Sequence, residues 1–272
     1  MNKVEVGRVS VSVANLYRKD DYRSEIVSQA LLAEKIFIEE KQKNFSRIKQ
    51  TDDYSGWISN YQWIPEKFFD YPLKMVRTHW LKIYDEPMPD AATIGEAPIG
   101  SRLPVCQSKD GWLQIILPDG QTGWAEGSNF GELLPLTRMN AVRLAQEFYG
   151  IPYFWGGRSP RGFDCSGLIQ TVFALMGRQL PRDSWMQQRD GIFVSQEPLQ
   201  AKPGDLYFFS DNGERITHVG LSAGKGRLIH ARGKVRSNCL QPGQPEFDKN
   251  LLDTFIDVRT YFYSSDDAKV LN

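Results

Sequence analysis

The sequence predicts two small all-β modules followed by an α+β domain. Three observations support this fold class: a repeat within the first 135 residues, a helical spacing of apolar residues after Thr137, and short apolar strands towards the end. Helices that come first and an antiparallel sheet that follows are typical of an α+β domain. We expect domains at residues 1–66, 67–135 and 136–272.

The repeat has a constant offset of 67 residues. A glycine precedes a tryptophan near the end of each copy, which predicts a strand entered through a tight turn. Residues 65–72 form an apolar linker, in which we expect Phe68, Phe69 and Tyr71 to pack between the modules. The paired landmarks are Tyr17 and Tyr84, Phe45 and Trp112, Ile48 and Ile115, and Trp57 and Trp124.

Two helices are expected at the start of the third domain. Thr137 can cap the first, and Gly150 can end it. Apolar residues after Cys165 recur at helical spacing until Gly177, so the second helix begins at Asp164 or Cys165.

A short polar helix and an antiparallel sheet complete the domain. The helix begins near Asp183, with Ser184 and Gln187 spaced as a capping box. Strands are expected at residues 206–209, 216–222, 227–231 and 255–263.

Composition limits the kinds of partner. At 272 residues and 41% hydrophobic content the chain is long enough to bury substantial cores. The 33 basic and 33 acidic side chains balance, so no basic field predicts binding to nucleic acid or to an anionic membrane. We expect a small substrate, no cofactor and no metal, and leave the oligomeric state open.

The N-terminus and the cysteines predict a location. No apolar run has the length of a membrane span, and the first residues lack the pattern of a signal peptide. The cysteines Cys106, Cys165 and Cys239 are too few and too scattered for a disulfide framework. These features favour the cytoplasm, with the periplasm or secretion as the alternative if a leader was removed.

Cys165 is the candidate nucleophile. A thiol at a helix start feels the positive end of the helix dipole, which favours the thiolate. A lone cysteine is more often a buried structural residue, so a base and a group that orients the base are needed as well. The chain has three histidines, and His218 and His230 fall in one short segment downstream.

The two histidines are expected on one face of the sheet. Alternation in the strand sets His218 opposite the apolar side, and a hairpin centred on Gly224 would pair it with His230. Zinc bound by Cys165 and both histidines is disfavoured, because no ligands share a short metal-type spacing. Ser166 is disfavoured as nucleophile, because Asp164 stands where G-x-S-x-G needs glycine.

The ordered motifs of residues 137–263 resemble the NlpC-type cysteine peptidases of bacterial cell walls, which have a papain-like fold. The endings of the two repeats resemble bacterial SH3-like domains. The whole arrangement resembles the γ-D-glutamyl-L-diamino acid endopeptidases, or dipeptidyl-peptidase VI. The motifs are Asp164-Cys165-Ser166-Gly167-Leu168, His218-Val219-Gly220, His230, Tyr153-Phe154-Trp155-Gly156-Gly157, Gly56-Trp57-Ile58 and Gly123-Trp124-Ala125.

The resemblance implies hydrolysis of the bond between γ-D-Glu and meso-diaminopimelate or Lys, in peptidoglycan stem peptides with a free N-terminal L-Ala, during murein recycling. It implies Cys165 as nucleophile, His218 as base, His230 as the residue that orients the base, and Tyr153 as a donor to the oxyanion. The implied substrate-binding residues are Trp155, Asp164, Ser166, Asp183 and Ser184, with Glu34 and Tyr54 from the first module.

The chain departs from the family at Ala33 and Phe45, where glycine and tryptophan are usual, which weakens the placement of Glu34. A papain-like amidase or acyltransferase with the same Cys-His-His core is the main alternative. Asp164, Asp183 and Glu34 favour the peptidase. An amidase or acyltransferase that acts on lipid or other amides would have an open apolar groove rather than a carboxylate and hydroxyls placed for an amine. A non-catalytic binding protein is the third hypothesis, which the intact cysteine and histidines disfavour.

Overall fold

The computed structural model of the chain describes residues 5–67 and 70–262. Two compact units form, one from residues up to Leu133 with Arg158–Pro160, the other from Leu134–Gly157 and the residues from Arg161 onward. Both sequence repeats lie in the first unit, and the boundary between residues 66 and 67 stays a prediction. Within the described ranges, no helix has the length and apolar character needed to cross a membrane.

The first unit is built almost entirely from strands. Six of the strands in the second copy begin 67 residues after their counterparts in the first. The first copy contains β1 (Glu5–Val9), β2 (Val13–Tyr17), β3 (Ile26–Leu31), β4 (Lys35–Lys41), β5 (Phe45–Lys49), β6 (Ser55–Ser59) and β7 (Trp63–Pro65). The second copy contains β8 (Leu73–Val76), β9 (Trp80–Tyr84), β10 (Thr93–Pro98), β11 (Arg102–Lys109), β12 (Trp112–Ile116), β13 (Thr122–Glu126) and β14 (Phe130–Gly131).

The two copies have the same topology, which confirms the repeat. The sheet orders are β3-β2-β6-β5-β4-β1-β7 and β10-β9-β13-β12-β11-β8-β14. In the described strands each sheet stays open between its first and last members, so neither is a closed barrel. Two mainly aliphatic cores stabilise this unit, and Leu32 and Ala33 of the first copy belong to the core formed by the second.

In each copy a tight turn leads into the strand that carries the glycine and the tryptophan, as predicted, and the glycine also has a packing role. Gly56 and Gly123 lie inside β6 and β13. A Cβ at Gly123 would lie 2.5 Å from Cγ2 of Ile83, so only glycine allows the strands to approach so closely. Of the predicted linker, Tyr71 is 46% exposed, and Phe68 and Phe69 lie outside the described residues.

The second unit begins with helices and ends with a sheet, as predicted. Its helices are α1 (Arg138–Glu147), α2 (Cys165–Ala174), α3 (Ser184–Asp190) and α4 (Lys249–Asp253). The short strand β16 (Gly162–Phe163) precedes α2, and β15 (Arg158–Ser159) belongs to the first unit. The remaining strands are β17 (Ile192–Ser195), β18 (Leu206–Phe209), β19 (His218–Gly224), β20 (Arg227–Arg232), β21 (Lys234–Cys239) and β22 (Phe255–Thr260).

The sheet of the second unit has the order β17-β22-β18-β19-β20-β21 and is antiparallel throughout. The helix α2 packs against β19 and β20, which brings the start of α2 to the strands that carry both histidines. Leu168, Ile169 and Val172 are fully buried, so apolar packing holds this helix in place. The predicted end of the last strand at Tyr263 lies outside the described residues.

Candidate active site

Cys165 is the first residue of α2, as the spacing predicts. The side chain of Asp164 caps the helix by accepting a hydrogen bond from the backbone N of Gly167 at 2.7 Å. Gly167 permits a close approach to the preceding loop, since a Cβ there would lie 2.0 Å from the carbonyl oxygen of Gly157. The start of α2 is therefore fixed both by a cap and by backbone contact.

Burial of the thiol overturns the expectation that Cys165 rests as a thiolate. The residue is 7% exposed, and burial raises its pKa to about 12, with the negative charge of Asp164 adding to the rise. The backbone N–H groups of Val219 and Ser166 and the Arg182 cation oppose this rise, but their effect is smaller. The raised pKa favours the neutral thiol, so a nucleophilic role for Cys165 would need a base to accept its proton.

A buried ion pair between Arg182 and Asp164 lies next to the cysteine, at the start of α2. Arg182 is 2% exposed, and its two terminal nitrogens lie 2.5 and 3.1 Å from the carboxylate oxygens of Asp164. The guanidinium also donates to the hydroxyl of Ser166 at 2.9 Å, and the backbone N of Gly156 donates to Asp164 at 3.0 Å. Arg182, which the sequence did not single out, thus binds the side chains of both neighbours of Cys165, Asp164 and Ser166.

The capping box expected at Ser184 is wrong. Asp183 is the N-cap of α3 but its side chain makes no capping bond to a backbone N of the helix, and Ser184 is the first helical residue. Gln187 instead donates from Nε2 to the carbonyl oxygens of Ser166 at 3.1 Å and Pro181 at 2.8 Å. Gln187 therefore holds α3 against the start of α2. Asp183 and the buried Ser184, at the start of α3, are held near the start of α2 as a result.

The two histidines meet, although in a different register from the one expected. The hairpin turns at Lys225 and Gly226, both with positive φ, and a bulge precedes Gly224. His230 therefore lies opposite Gly220 and diagonal to His218. The rings remain on one face because a shift of two residues keeps the side-chain alternation, and Nε2 of His218 lies 2.8 Å from Nδ1 of His230.

Burial keeps both imidazoles neutral. It lowers the pKa of His230 from 6.5 to about 4, with Arg236 and Arg232 adding to the effect. Burial also lowers the pKa of His218 well below 6.5, with His230 and Arg232 next in importance. A neutral ring can accept a proton, so His218 suits the role of general base.

Tyr153 and Trp155 lie in the loop before α2. The backbone N of Tyr153 donates to the carbonyl of Gly233 at 2.9 Å, and its backbone bridges to Phe163. Burial raises the pKa of the Tyr153 hydroxyl, and the charges of Cys165 and Asp164 raise it further, so the hydroxyl stays a donor near the thiol. Trp155 is 60% exposed, so its ring is accessible to a ligand from solvent.

Glu34 and Tyr54 lie in the first unit. The carboxylate of Glu34 accepts bonds from the backbone N of Leu31 at 3.0 Å and from Nε2 of Gln50 at 2.6 Å. It also forms an ion pair with Arg158 at 3.5 Å. The backbone N of Tyr54 donates to Asp52 at 3.1 Å. The roles of Glu34 and Tyr54 in substrate binding stay predictions.

The residue before Glu34 explains one departure from the family pattern. Ala33 has φ +63°, a left-handed conformation that favours glycine, and Gly100 at the same place in the second copy has φ +88°. Alanine thus adopts here the backbone that glycine usually supplies.

Sequence reasoning missed the contacts that Arg182, Gln187 and Asn238 make with the candidate site. Each contact is made by a side chain with a residue outside its own helix or strand. Asn238 accepts a bond from Nε2 of His230 at 2.9 Å. It lies in β21, a strand that the sequence pattern did not indicate. Among the described residues, no group of three or more His, Cys, Asp and Glu side chains could hold a metal ion.

Comparison with known proteins identifies the family that the region carrying these residues resembles. Residues 150–253 match the NlpC/P60 family. Gamma-D-glutamyl-L-lysine dipeptidyl-peptidase of Bacillus cereus is 28% identical over 240 residues, covering 79% of this chain and 69% of that protein. The probable endopeptidase p60 of Listeria innocua is 48% identical over 91 residues, covering 34% of this chain and 19% of that protein.

Structural comparison extends the similarity along the chain. The crystal structure of an NlpC/P60 family protein from Bacillus cereus matches with a TM-score of 0.82 at 22% identity, covering 95% of this chain and 100% of that one. This match shows a common fold. Residues 150–253 of the present chain, which carry the cysteine and both histidines, are an NlpC/P60 domain.

Proposed function

We propose that this protein is a cysteine peptidase that hydrolyses the bond between γ-D-Glu and L-Lys or meso-diaminopimelate in peptidoglycan stem peptides with a free N-terminal L-Ala. The observation that carries the proposal is the buried thiol of Cys165 at a helix start beside a pair of hydrogen-bonded neutral histidines. The name of the Bacillus cereus relative supports the substrate class. The two N-terminal sheets are inferred to be open variants of SH3-like modules.

The first half of the reaction forms an acyl-enzyme. His218 uses Nε2 to bond His230, so Nδ1 is the nitrogen that accepts the thiol proton as Sγ of Cys165 attacks the carbonyl carbon. The Tyr153 hydroxyl donates to the oxygen that gains negative charge. The proton on His218 then passes to the leaving amine, and the C–N bond breaks to leave a thioester.

The second half returns the enzyme to its resting state. His218 removes a proton from water as the water oxygen attacks the thioester carbon. The C–S bond breaks, the proton passes to sulfur, and the products are a dipeptide acid and a peptide or amino acid with a free amine. A neutral histidine is required at both steps, which agrees with the lowered pKa of His218.

A panel of synthetic peptides tests this function. L-Ala-γ-D-Glu-L-Lys and its meso-diaminopimelate analogue are each incubated with the protein, as free and as N-acetylated forms, and the products are identified by mass spectrometry. We expect release of L-Ala-D-Glu from the free forms and much less from the acetylated ones. If the protein cleaves an unrelated amide but none of these peptides, the amidase alternative is favoured. A cytoplasmic role in murein recycling is part of the proposal.

A further inference from the structure

Asn238 extends the hydrogen-bonded pair of histidines by one residue. In the register of β20 and β21, His230 faces Arg236, so Asn238 is its diagonal neighbour on the same face. The amide oxygen Oδ1 of Asn238 lies 2.9 Å from Nε2 of His230. A continuous line of side chains therefore runs from Asn238 through His230 to His218.

The backbone determines which way the Asn238 amide points. Its Nδ2 lies 3.2 Å from the carbonyl oxygen of Glu246, and the backbone N of Cys239 donates to that same oxygen at 2.9 Å. A carbonyl oxygen has no hydrogen to donate, so the amide nitrogen must face Glu246. The amide oxygen, which can only accept, must face His230.

This orientation fixes the tautomer of each imidazole in turn. Because Oδ1 of Asn238 accepts, Nε2 of His230 must carry a proton. His230 is fully buried and its ring is neutral, so its Nδ1 holds a lone pair. That lone pair accepts the Nε2 proton of His218, which is also neutral, and Nδ1 of His218 is left without a proton.

We infer that Asn238 is a positioning residue that sets the tautomers of His230 and His218, and so keeps Nδ1 of His218 ready to accept the proton of Cys165. The role of His218 as base rests on the proposed function, but the tautomers do not. In a serine peptidase triad, a wrong histidine tautomer lowers kcat by about 10⁴-fold. Replacement of Asn238 should therefore change proton transfer without removing any group that contacts substrate.

A purely structural role for Asn238 makes a different prediction. The same strand is also joined to the 246 segment by Ser237, whose Oγ donates to the Glu246 carboxylate at 2.6 Å. Ser237→Ala removes that contact without touching His230, so it is a matched control for loss of the local fold. Asn238→Leu removes the amide at similar volume, and Asn238→Gln keeps an amide oxygen on a longer side chain.

The experiment measures the tautomers directly on full-length protein labelled with ¹⁵N-histidine. Long-range proton–nitrogen spectra at neutral pH distinguish protonated from bare ring nitrogens, and His79→Gln identifies the signals of the third histidine. Wild type and Ser237→Ala should both show protonated Nε2 and bare Nδ1 at His218 and His230. Asn238→Leu should show mixed tautomers at both rings, and Asn238→Gln should restore most of the wild-type pattern.

Two rates complete the test. In Asn238→Leu, kcat on the best cleaved peptide should fall roughly 10- to 1,000-fold with little change in KM, because proton transfer rather than binding is impaired. Alkylation of Cys165 by iodoacetamide, which needs no peptide, should slow in the same variant.

Unchanged tautomers in folded Asn238→Leu would overturn the inference. Equal losses of kcat in Asn238→Leu and Ser237→Ala would overturn it as well. Absence of peptide cleavage by wild type would instead count against the proposed function.

Discussion

The guanidinium of Arg182 and the carboxylate of Asp164 form a buried bidentate ion pair, with nitrogen–oxygen distances of 2.5 and 3.1 Å. The pair lies next to Cys165, the proposed nucleophile. Asp164 caps α2, and its negative charge disfavours the thiolate of Cys165, whereas the Arg182 cation favours it. Arg182 therefore offsets part of the unfavourable effect that the acidic cap has on the thiolate of Cys165.

Arg182→Met is expected to destabilise the fold strongly. Removing one member of a buried ion pair leaves an uncompensated charge, which costs about 3–5 kcal/mol. The free energy of unfolding in urea measures this loss, and Arg189→Met, which alters an exposed ion pair in α3, should leave it nearly unchanged.

A double variant isolates the charge of Asp164. Asp164→Asn combined with Arg182→Met removes both charges and should recover part of the lost stability. If the double variant is less stable than wild type by the sum of the losses in the two single variants, the two residues do not act as an ion pair.

The rate of alkylation of Cys165 should rise steadily with pH. Burial raises the pKa of the thiol to about 12, so the thiolate fraction grows through the whole range from neutral to alkaline pH. Iodoacetamide labelling at fixed times, followed by peptide mass spectrometry, gives the rate for each cysteine. A rate for Cys165 that is already constant from pH 6 would show a thiolate–imidazolium pair and contradict this account.

Stability should fall in weak acid because His230 is buried as a neutral ring. Its pKa is about 4 in the folded protein and about 6.5 in the unfolded chain, so the unfolded chain binds the proton more readily. The stabilisation is complete above pH 6.5 and is lost as the pH falls towards 4, by up to about 3 kcal/mol. His230→Gln should lose less stability than wild type between these pH values in urea titrations. Parallel pH curves for the two proteins would contradict the lowered pKa.

Gly167→Ala should disrupt the start of α2. A Cβ at this position would lie 2.0 Å from the carbonyl oxygen of Gly157, so the backbone on one side must move. We expect a loss of several kcal/mol, beyond the usual range of about 0.5–3 kcal/mol for point changes. Gly95→Ala is the control, since its Cβ would meet only Ile83 at 3.7 Å. Similar melting temperatures for the two variants would contradict the close packing.

The parts of the site that depend on local sequence could be predicted. Asp164 and Cys165 were identified at the start of a helix because a cap and an apolar spacing are local signals. The shared face of His218 and His230 was predicted correctly even though the register was not, because a two-residue shift preserves the alternation of side chains.

The parts that depend on distant contacts could not be predicted. Arg182 was missed because a charged residue before a polar helix gives no sign that it will be buried against Asp164. Asn238 was missed because the pattern of β21 is polar, and the strand is recognisable only from its pairing with β20. The helix dipole at Cys165 was given too much weight, because the sequence does not reveal how deeply a thiol is buried.

The most direct test of the central claim compares hydrolysis of L-Ala-γ-D-Glu-L-Lys by wild type and by Cys165→Ala, with release of lysine measured over time. Cys165→Ala should remain folded, which its melting curve checks, because the change removes only one sulfur atom. We expect wild type to release lysine and Cys165→Ala to release none above the rate without enzyme. Lysine release by Cys165→Ala at a rate near that of wild type would show that Cys165 is not the nucleophile.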